Sequence, residues 1–275
     1  MQARKVPIVV TVLLVMLFAA CSDSLGSTGD IGATARQNAS APSSLQRILE
    51  RGVLRVGTTG DFFMSFIDPE TGERDGYDIE LTTKLAEDMG VEIEYVSTDW
   101  PSLVSGLAAG RYDITTGASF NPGRARTASY TIPIARVGTV AVIRREDFRR
   151  FRSWGTMDDP EVRVAIRQGS VFEDHARDIT PNATISAVAS PATEYQEVLE
   201  RRADVAITNL FDAASYVRDQ ESLQIASAEP QNTNFVGILV AQSHHELRAF
   251  IDAWIRAQEH SGYIDKLTER WNLAF

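Results

Sequence analysis

The sequence predicts an α/β fold with a mostly parallel sheet, organised as two lobes of similar construction. Strands and helices alternate between residues 53 and 115, and the alternation repeats between residues 162 and 208. Such alternation is typical of parallel sheets covered by helices. Two apolar runs, at 139–143 and 236–240, are suited to bridge the lobes. The chain is therefore expected to run from the first lobe to the second and back.

Each element has its own signal. Strands are expected where short apolar or alternating runs occur, at residues 53–56, 91–95, 112–115, 162–166, 185–188 and 203–208. Helices are expected where apolar residues recur every three or four positions, at residues 77–89, 101–109, 169–177 and 193–201. Gly57 is expected to close the first strand, and Gly90 and Gly110 to stop the first two helices. Ser243 and Glu246 have capping-box spacing, which predicts the start of a C-terminal helix.

Composition excludes several classes of protein. The chain has 275 residues, a formal net charge of −10, 44% hydrophobic residues and 23% charged residues. These values are typical of a globular protein of one or two domains, and they exclude a disordered or collagen-like chain. The net negative charge gives no indication of a basic surface that would bind nucleic acid. A single Cys excludes a disulfide framework within the chain.

The N-terminus has the pattern of an export signal. Arg4 and Lys5 precede an apolar run over residues 6–20, which is short for a membrane span. Small residues before Cys21 resemble a bacterial lipobox, in which the Cys carries the lipid. A plain signal peptide cut after residue 20 is the alternative. Residues 22–44 are rich in small and polar residues, and they include too few large apolar residues to build a core. We therefore expect a signal peptide at 1–20 and a lipid-anchored flexible linker at 21–44.

Metal and nucleotide chemistry have little support in the sequence. The four His residues include no pair at the i, i+4 spacing of a zinc helix. No phosphate-binding loop, dinucleotide fingerprint or nucleophile elbow occurs. We expect no metal and no cofactor.

Polar residues stand where four of the predicted strands end. They form the runs 58–61, 119–124, 168–170 and 208–209. Any one of them alone is explained by turn chemistry. Four at equivalent places favour a ligand site, because ligands in open α/β sheets bind beyond the carboxyl ends of strands. Arg124 adds a guanidinium that can grip a carboxylate through two hydrogen bonds.

These residues carry a family resemblance. The runs at 54–58, 76–81 and 112–114, and Arg124 ahead of the run at 130–133, resemble the family 3 extracytoplasmic solute-binding proteins. That family comprises the amino-acid receptors of ABC importers. The resemblance implies the type II periplasmic-binding-protein fold: two lobes, two hinge strands and a ligand cleft between the lobes. It places lobe one at residues 45–139 and 236–275, and lobe two at 140–235.

The resemblance also implies a set of site residues. Arg124 holds the ligand carboxylate, backbone N–H groups near Ser119 and Ser170 complete the cradle, and Asn209 stands where receptors carry an Asp for the ligand ammonium. That neutral amide weakens the match to a plain α-amino acid unless Asp61 or Glu173 takes over. The implied ligand-binding residues are Thr59, Asp61, Phe62, Trp100, Ser119, Asn121, Arg124, Gly169, Ser170, Val171 and Asn209.

A second resemblance is to the cyclohexadienyl dehydratases, enzymes on the same fold, through the runs at 58–62 and 98–103. They eliminate water and carbon dioxide from prephenate or arogenate. Glu173 stands at the position of their general acid, and that role requires a raised pKa. A Glu in a first helical turn also suits the helix dipole without catalysis. The stretch before Glu173, with Val171 and Phe172, departs from the Gly- and Asn-rich stretch of the enzymes, as does Thr139 after Gly138.

Two functions thus stay open. The first is a receptor for an amino acid or related small carboxylate that delivers it to the membrane subunits of an ABC importer. The second is a dehydratase with Glu173 as general acid. In either case we expect an exported, periplasmic or cell-surface protein. It would be a membrane-tethered monomer that binds no nucleic acid.

Overall fold

The computed structural model describes residues 41–60, 64–68, 70–226 and 229–271. The predicted signal peptide, Cys21 and the predicted linker up to residue 40 lie outside these residues, as do Asp61 and Phe62. In the described part of the chain, no helix has both the length and the apolar character needed to cross a membrane.

The first half of the fold supplies one parallel sheet segment and its helices. Its elements are α1 (Ser44–Arg51), β1 (Val53–Thr58), β2 (Phe66–Ile67), β3 (Arg74–Asp75), α2 (Tyr77–Met89), β4 (Glu92–Ser97), α3 (Leu103–Ala108), β5 (Ile114–Ser119), α4 (Pro122–Ala125) and β6 (Ala128–Tyr130). Helix α2 has the predicted bounds, and Gly90 ends it in the left-handed conformation with φ 70°. Glycine adopts that conformation without the penalty that a Cβ imposes.

The second half repeats the plan and returns to the first. Its elements are β7 (Ala135–Arg144), two short 3₁₀ turns (Arg145–Arg149 and Trp154–Thr156), β8 (Arg163–Arg167), α5 (Phe172–Ile179), β9 (Thr184–Val188), α6 (Glu194–Leu199), β10 (Val205–Asn209), α7 (Leu210–Asp219), β11 (Leu223–Ile225), β12 (Gln231–Ala241), α8 (His245–His260) and α9 (Tyr263–Arg270). Helices α8 and α9 pack with α2 and β1 in one core.

One continuous sheet runs through both halves in the order β4-β1-β5-β12-β7-β10-β8-β9. The strands at its two ends, β4-β1-β5 and β10-β8-β9, pair in parallel. The two central strands, β12 and β7, are antiparallel to each other and to their outer neighbours. We call the part around β4-β1-β5 lobe one and the part around β10-β8-β9 lobe two.

The central strands form a two-stranded hinge. Strand β7 pairs with β12 up to Thr139 and with β10 from Thr139 onward. Strand β12 pairs with β7 up to Val236 and with β5 from Val236 onward. Strand β12 therefore bonds to lobe one and β7 to lobe two, and the two strands bond to each other between the lobes. The predicted lobe boundaries at 139/140 and 235/236 stay a prediction.

Each lobe has its own buried core. In lobe one, residues such as Leu54, Leu81 and Ile251 pack between the sheet and helices α2, α8 and α9. In lobe two, separate clusters lie on the two faces of the sheet, one around Phe151 and Val164 and the other around Val142 and Tyr216. The sheet segments of the two lobes are therefore packed against separate sets of buried apolar residues.

Two local predictions are wrong. Gly57 does not end β1, which continues to Thr58; the glycine is there because a Cβ would lie 2.7 Å from the buried Tyr112 ring. The predicted capping box does not form, because the N-cap of α8 is His244 and no side chain caps that end. Ser243 is one residue too early to reach the first free N–H groups.

Candidate functional site

A cavity lies between the lobes, at the carboxyl ends of the parallel strands. Thr59 follows β1, Ser119 ends β5, Arg167 ends β8 and Asn209 ends β10, and all four line it. Its empty volume is about 620 Å³ with the mouth included. The strand ends that the sequence predicts to lie together therefore do meet, and residues from both lobes line one cavity.

Arg124 is the cation at the centre of this arrangement. It lies on the short helix α4, which Asn121 caps by accepting a hydrogen bond from the Arg124 N–H at 3.1 Å. Its guanidinium donates to the carbonyl of Ser119 at 3.3 Å and, across the cleft, to the carbonyl of Gly169 at 3.0 Å. Arg124 as a whole residue is 9% exposed, and its guanidinium stacks over Trp100, 4.7 Å from the ring centroid. Packing and hydrogen bonds thus hold a buried positive charge against the cavity.

The other predicted residues divide into three groups. Those that line the cavity are Thr59, Trp100, Ser119, Ser170, Val171 and Asn209. Asn121 and Gly169 lie at the outer mouth, where the Asn121 amide also donates to Asp174 of lobe two at 3.1 Å. Asp61 and Phe62 lie outside the described residues. The N–H of Ser170 donates to the Arg167 carbonyl at 3.2 Å, so in this structure it closes a turn instead of completing an anion cradle.

Asn209 lines the cavity and also caps a helix. Its side-chain oxygen caps α7, accepting from the N–H groups of Phe211 and Asp212 at 2.9 and 2.8 Å. Its amide nitrogen donates to the Asp212 carboxylate at 2.8 Å. Asp212 is 4% exposed and lines the cavity. A carboxylate is therefore present on this wall, one helical turn after the position where receptors of the resembled type carry theirs.

Sequence reasoning missed four charged residues of the cavity: Asp78, Arg167, Glu194 and Asp212. Arg167 donates from Nε to Glu194 at 3.3 Å and from Nη2 to the Tyr216 hydroxyl at 3.3 Å. That hydroxyl donates in turn to Glu194 at 3.1 Å. The one available signal was the position of Arg167 at the end of a strand. Its partners are distant in the chain.

The contacts of Glu173 favour its ionised form. It lies in the groove outside the cavity, and Arg177 donates to its carboxylate at 2.8 Å. The hydrogen bond from Arg177 is the largest influence, and it lowers the pKa of Glu173 in spite of partial burial. Proton donation to a leaving hydroxyl requires the opposite shift. The i, i+4 placement of Arg177 on α5 therefore counts against a catalytic Glu173, and that role stays a prediction.

Across the described ranges, no group of three or more His, Cys, Asp and Glu side chains is arranged to hold a metal ion.

Comparison with known proteins identifies the family. The model of the bacterial extracellular solute-binding proteins, family 3, matches residues 54–274. The chain belongs to this family. Family 3 proteins act outside the cytoplasm, and the two-lobed architecture described above is the type II fold of periplasmic binding proteins.

Individual relatives include both receptors and an enzyme. The chain is 30% identical to cyclohexadienyl dehydratase of Pseudomonas aeruginosa, over 83% of this chain and 86% of that protein. It is also 30% identical to a probable amino-acid ABC transporter-binding protein of Haemophilus influenzae, over 82% and 86%.

A solved structure shares the fold closely. The ancestral amino acid-binding protein AncCDT-1, a precursor of cyclohexadienyl dehydratase, has a TM-score of 0.77 at 29% identity, covering 83% of this chain and 99% of its own. A second structure describes AncCDT-1 as a cationic amino acid solute-binding protein, with a TM-score of 0.66 over the same shares of the two chains.

Proposed function

We propose that this protein is a receptor that binds an amino acid between its lobes and delivers it to an ABC importer. The observation that carries the proposal is the placement of Arg124. Its buried guanidinium faces the cavity from lobe one and already bonds to lobe two. The amino-acid-binding relatives support the same function.

The ligand carboxylate would bind Arg124. In the structure, the guanidinium donates to two neutral carbonyls. A carboxylate is a stronger acceptor than a neutral carbonyl, because it carries an opposite charge and can accept two guanidinium N–H groups side by side. It would therefore displace those contacts, and the stacking on Trp100 keeps the guanidinium in place while it does so.

The ligand ammonium would bind Asp212. The Asn209 amide holds that carboxylate at the lobe-two wall. Opposite charges on opposite lobes explain how one small zwitterion can draw the lobes together, because it has its full set of partners only when they are close.

The N-terminus supports delivery at a membrane. With a lipid on Cys21 and a linker up to residue 44, the receptor would stay near the importer while its lobes open and close freely. Metabolic labelling with a palmitate analogue tests this part: Cys21→Ser should abolish the label.

A thermal-shift screen of the domain from residue 42 onward with the twenty amino acids tests the main proposal. A ligand that binds only the folded state raises the free energy of unfolding by RT ln(1 + [L]/Kd), and the melting temperature rises with it. We expect at least one hit at millimolar concentration. No hit, together with no binding in isothermal titration, would refute the receptor function.

A second candidate is cyclohexadienyl dehydratase activity, which the 30% identity to the Pseudomonas aeruginosa enzyme favours. The position and the lowered pKa of Glu173 count against it. Incubation of the protein with prephenate tests this activity, because the absorbance of phenylpyruvate reports turnover. We expect no turnover. Turnover that survives in a Glu173→Gln variant would point to another acid, and turnover lost in that variant would restore Glu173 to the catalytic role.

A further inference from the structure

A cluster of arginines lies in lobe two, away from the cavity. Residues 144–152 contain five Arg and two Phe, against one Glu and one Asp. The segment begins at the end of β7 and includes the 3₁₀ turn Arg145–Arg149. In β7, Thr139 pairs with Asn209 at the cavity, and Arg144 comes five residues later, which is roughly 17 Å at about 3.3 Å per residue. The cluster is therefore separate from the ligand site.

The positive charge of this segment is not balanced within it. The two carboxylates of the segment are already engaged, because Asp147 pairs with Arg144 at 2.7 Å and Glu146 pairs with Arg201 at 2.6 Å. Four arginines are exposed and form no ion pair with the residues that the structure describes: Arg145, Arg149, Arg150 and Arg152.

An aromatic ring stands exposed among these cations. Phe148 is 47% exposed, whereas Phe151 is fully buried in the core of lobe two and anchors the segment there. Within the 3₁₀ turn, Arg145 and Phe148 lie on the same side, since side chains three positions apart align in such a turn. Arg150 stacks on the Phe151 ring, 4.7 Å from its centroid. We call the five exposed residues the arginine patch: Arg145, Phe148, Arg149, Arg150 and Arg152.

A hollow opens beside Arg145. Its empty volume is about 800 Å³ with the open side included. The Arg145 guanidinium is fixed at its edge by donating to the carbonyls of Glu221 and Leu223 at 2.9 and 3.3 Å. Because the other arginines of the hollow have carboxylate partners, Arg145 supplies the charge that a phosphate group would meet there. The charged lining of the hollow is Arg144, Arg145, Glu146 and Arg201.

We propose that the arginine patch is a contact surface for a bilayer that contains anionic phospholipids. Guanidinium groups bind phosphates through paired hydrogen bonds. An aromatic ring among cations can enter the boundary between headgroups and acyl chains. An acidic protein could also pair with the arginines, but the predicted lipid on Cys21 favours the bilayer, because it keeps this domain beside one.

The contact orients the tethered domain. The chain as a whole has a formal net charge of −10, so an anionic bilayer repels most of the surface and attracts the patch. Since the patch lies away from the cavity, the ligand site stays accessible from the side that faces away from the bilayer.

Co-sedimentation with vesicles tests the proposal. The described residues from 42 onward form one compact unit, so a protein that begins at residue 42 keeps the patch and lacks Cys21. At a salt concentration of about 0.1 M, we expect it to sediment with vesicles that contain about one third phosphatidylglycerol and not with vesicles of phosphatidylcholine alone. Arg149→Gln combined with Arg152→Gln should weaken this binding by at least about tenfold, since each basic residue near an anionic membrane contributes about fivefold.

Phe148→Ser tests the apolar part of the contact. It leaves every charge in place and should weaken binding to the anionic vesicles by at least about threefold, because the ring no longer enters the bilayer. These variants change exposed side chains, and their melting temperatures show that they are folded.

Arg256→Gln combined with Lys266→Gln is the matched control. These exposed residues of α8 and α9 lie in lobe one, and their replacement removes the same two charges. The control should bind within about twofold of the parent, because charges far from the membrane are screened. No preference of the parent for anionic vesicles, a patch variant that binds as well as the parent, or a control that loses as much as the patch variant overturns the proposal. Vesicle binding needs no ligand in the cavity, so the receptor function is tested separately.

Discussion

Replacement of Arg124 gives the sharpest test of the binding site. Arg124→Ala removes the guanidinium that donates to Ser119 and Gly169 and stacks on Trp100. A hydrogen bond to a charged group contributes about 1.5–3 kcal/mol, so two such bonds to a ligand carboxylate amount to about 3–6 kcal/mol. At about 1.4 kcal/mol per factor of ten, affinity should fall by at least about a hundredfold.

Arg124→Lys separates charge from geometry. Lysine keeps the positive charge, but its ammonium cannot offer the planar pair of donors that suits a carboxylate. We expect an intermediate loss of about tenfold. Titration calorimetry with the best amino acid of the thermal-shift screen measures both variants, and their melting temperatures show whether they are folded.

Arg177→Ala is the control for Arg124→Ala. Arg177 is exposed, lies outside the cavity at its mouth and pairs with Glu173. Its removal should leave affinity within about threefold of the parent, because solvent screens it from the ligand. If Arg124→Ala binds as well as Arg177→Ala does, the carboxylate is held elsewhere and the reasoning about the site fails.

Three further predictions concern the surrounding structure. Asn209→Ala removes the cap of α7 and should lower stability by about 1 kcal/mol, or roughly 2–4 °C in melting temperature; an unchanged melting curve would show that the cap is dispensable. Gly169→Ala places a Cβ 2.9 Å from Pro101 of lobe one at a positive φ of 70°, so ligand affinity should fall because closure is obstructed; affinity equal to the parent's would contradict this. Burial raises the pKa of Asp204, but the hydrogen bonds that it accepts from Arg163 outweigh burial, and its pKa is lowered overall. The ion pair therefore stabilises the fold above about pH 4. As the pH falls below that value, the parent should lose this part of its free energy of unfolding, whereas Asp204→Asn has no such part to lose.

Local patterns predicted the fold well where they were complete within a few residues. Helix α2 has both predicted bounds, since its apolar spacing and Gly90 are adjacent in the chain. Helix α7 was not predicted, although Asn209 before it is a favourable N-cap residue. The polar residue was interpreted as a ligand contact because it ended a strand. One side chain type serves both purposes, and sequence alone does not separate them.

The site was predicted only in part, because its charges come together through the fold. Arg124 was found from its position in a motif. Arg167 and Glu194 are 27 residues apart and meet only when β8 and α6 pack in lobe two. The sequence places Glu173 correctly near the start of a helix. The direction of its side chain and its pairing with Arg177 depend on helix geometry. Charge pairs of this kind require the three-dimensional structure.

Asn121 links the helix that bears Arg124 to the opposite lobe. Its oxygen fixes the start of the helix that bears Arg124, and its nitrogen holds Asp174 on the opposite lobe. Any rotation that parts the lobes must break this amide link and the bond from Arg124 to Gly169 together. In the receptor proposed above, the contact between Asn121 and Asp174 would have to break before a ligand could leave the cavity, so separation of the lobes would limit the rate of release.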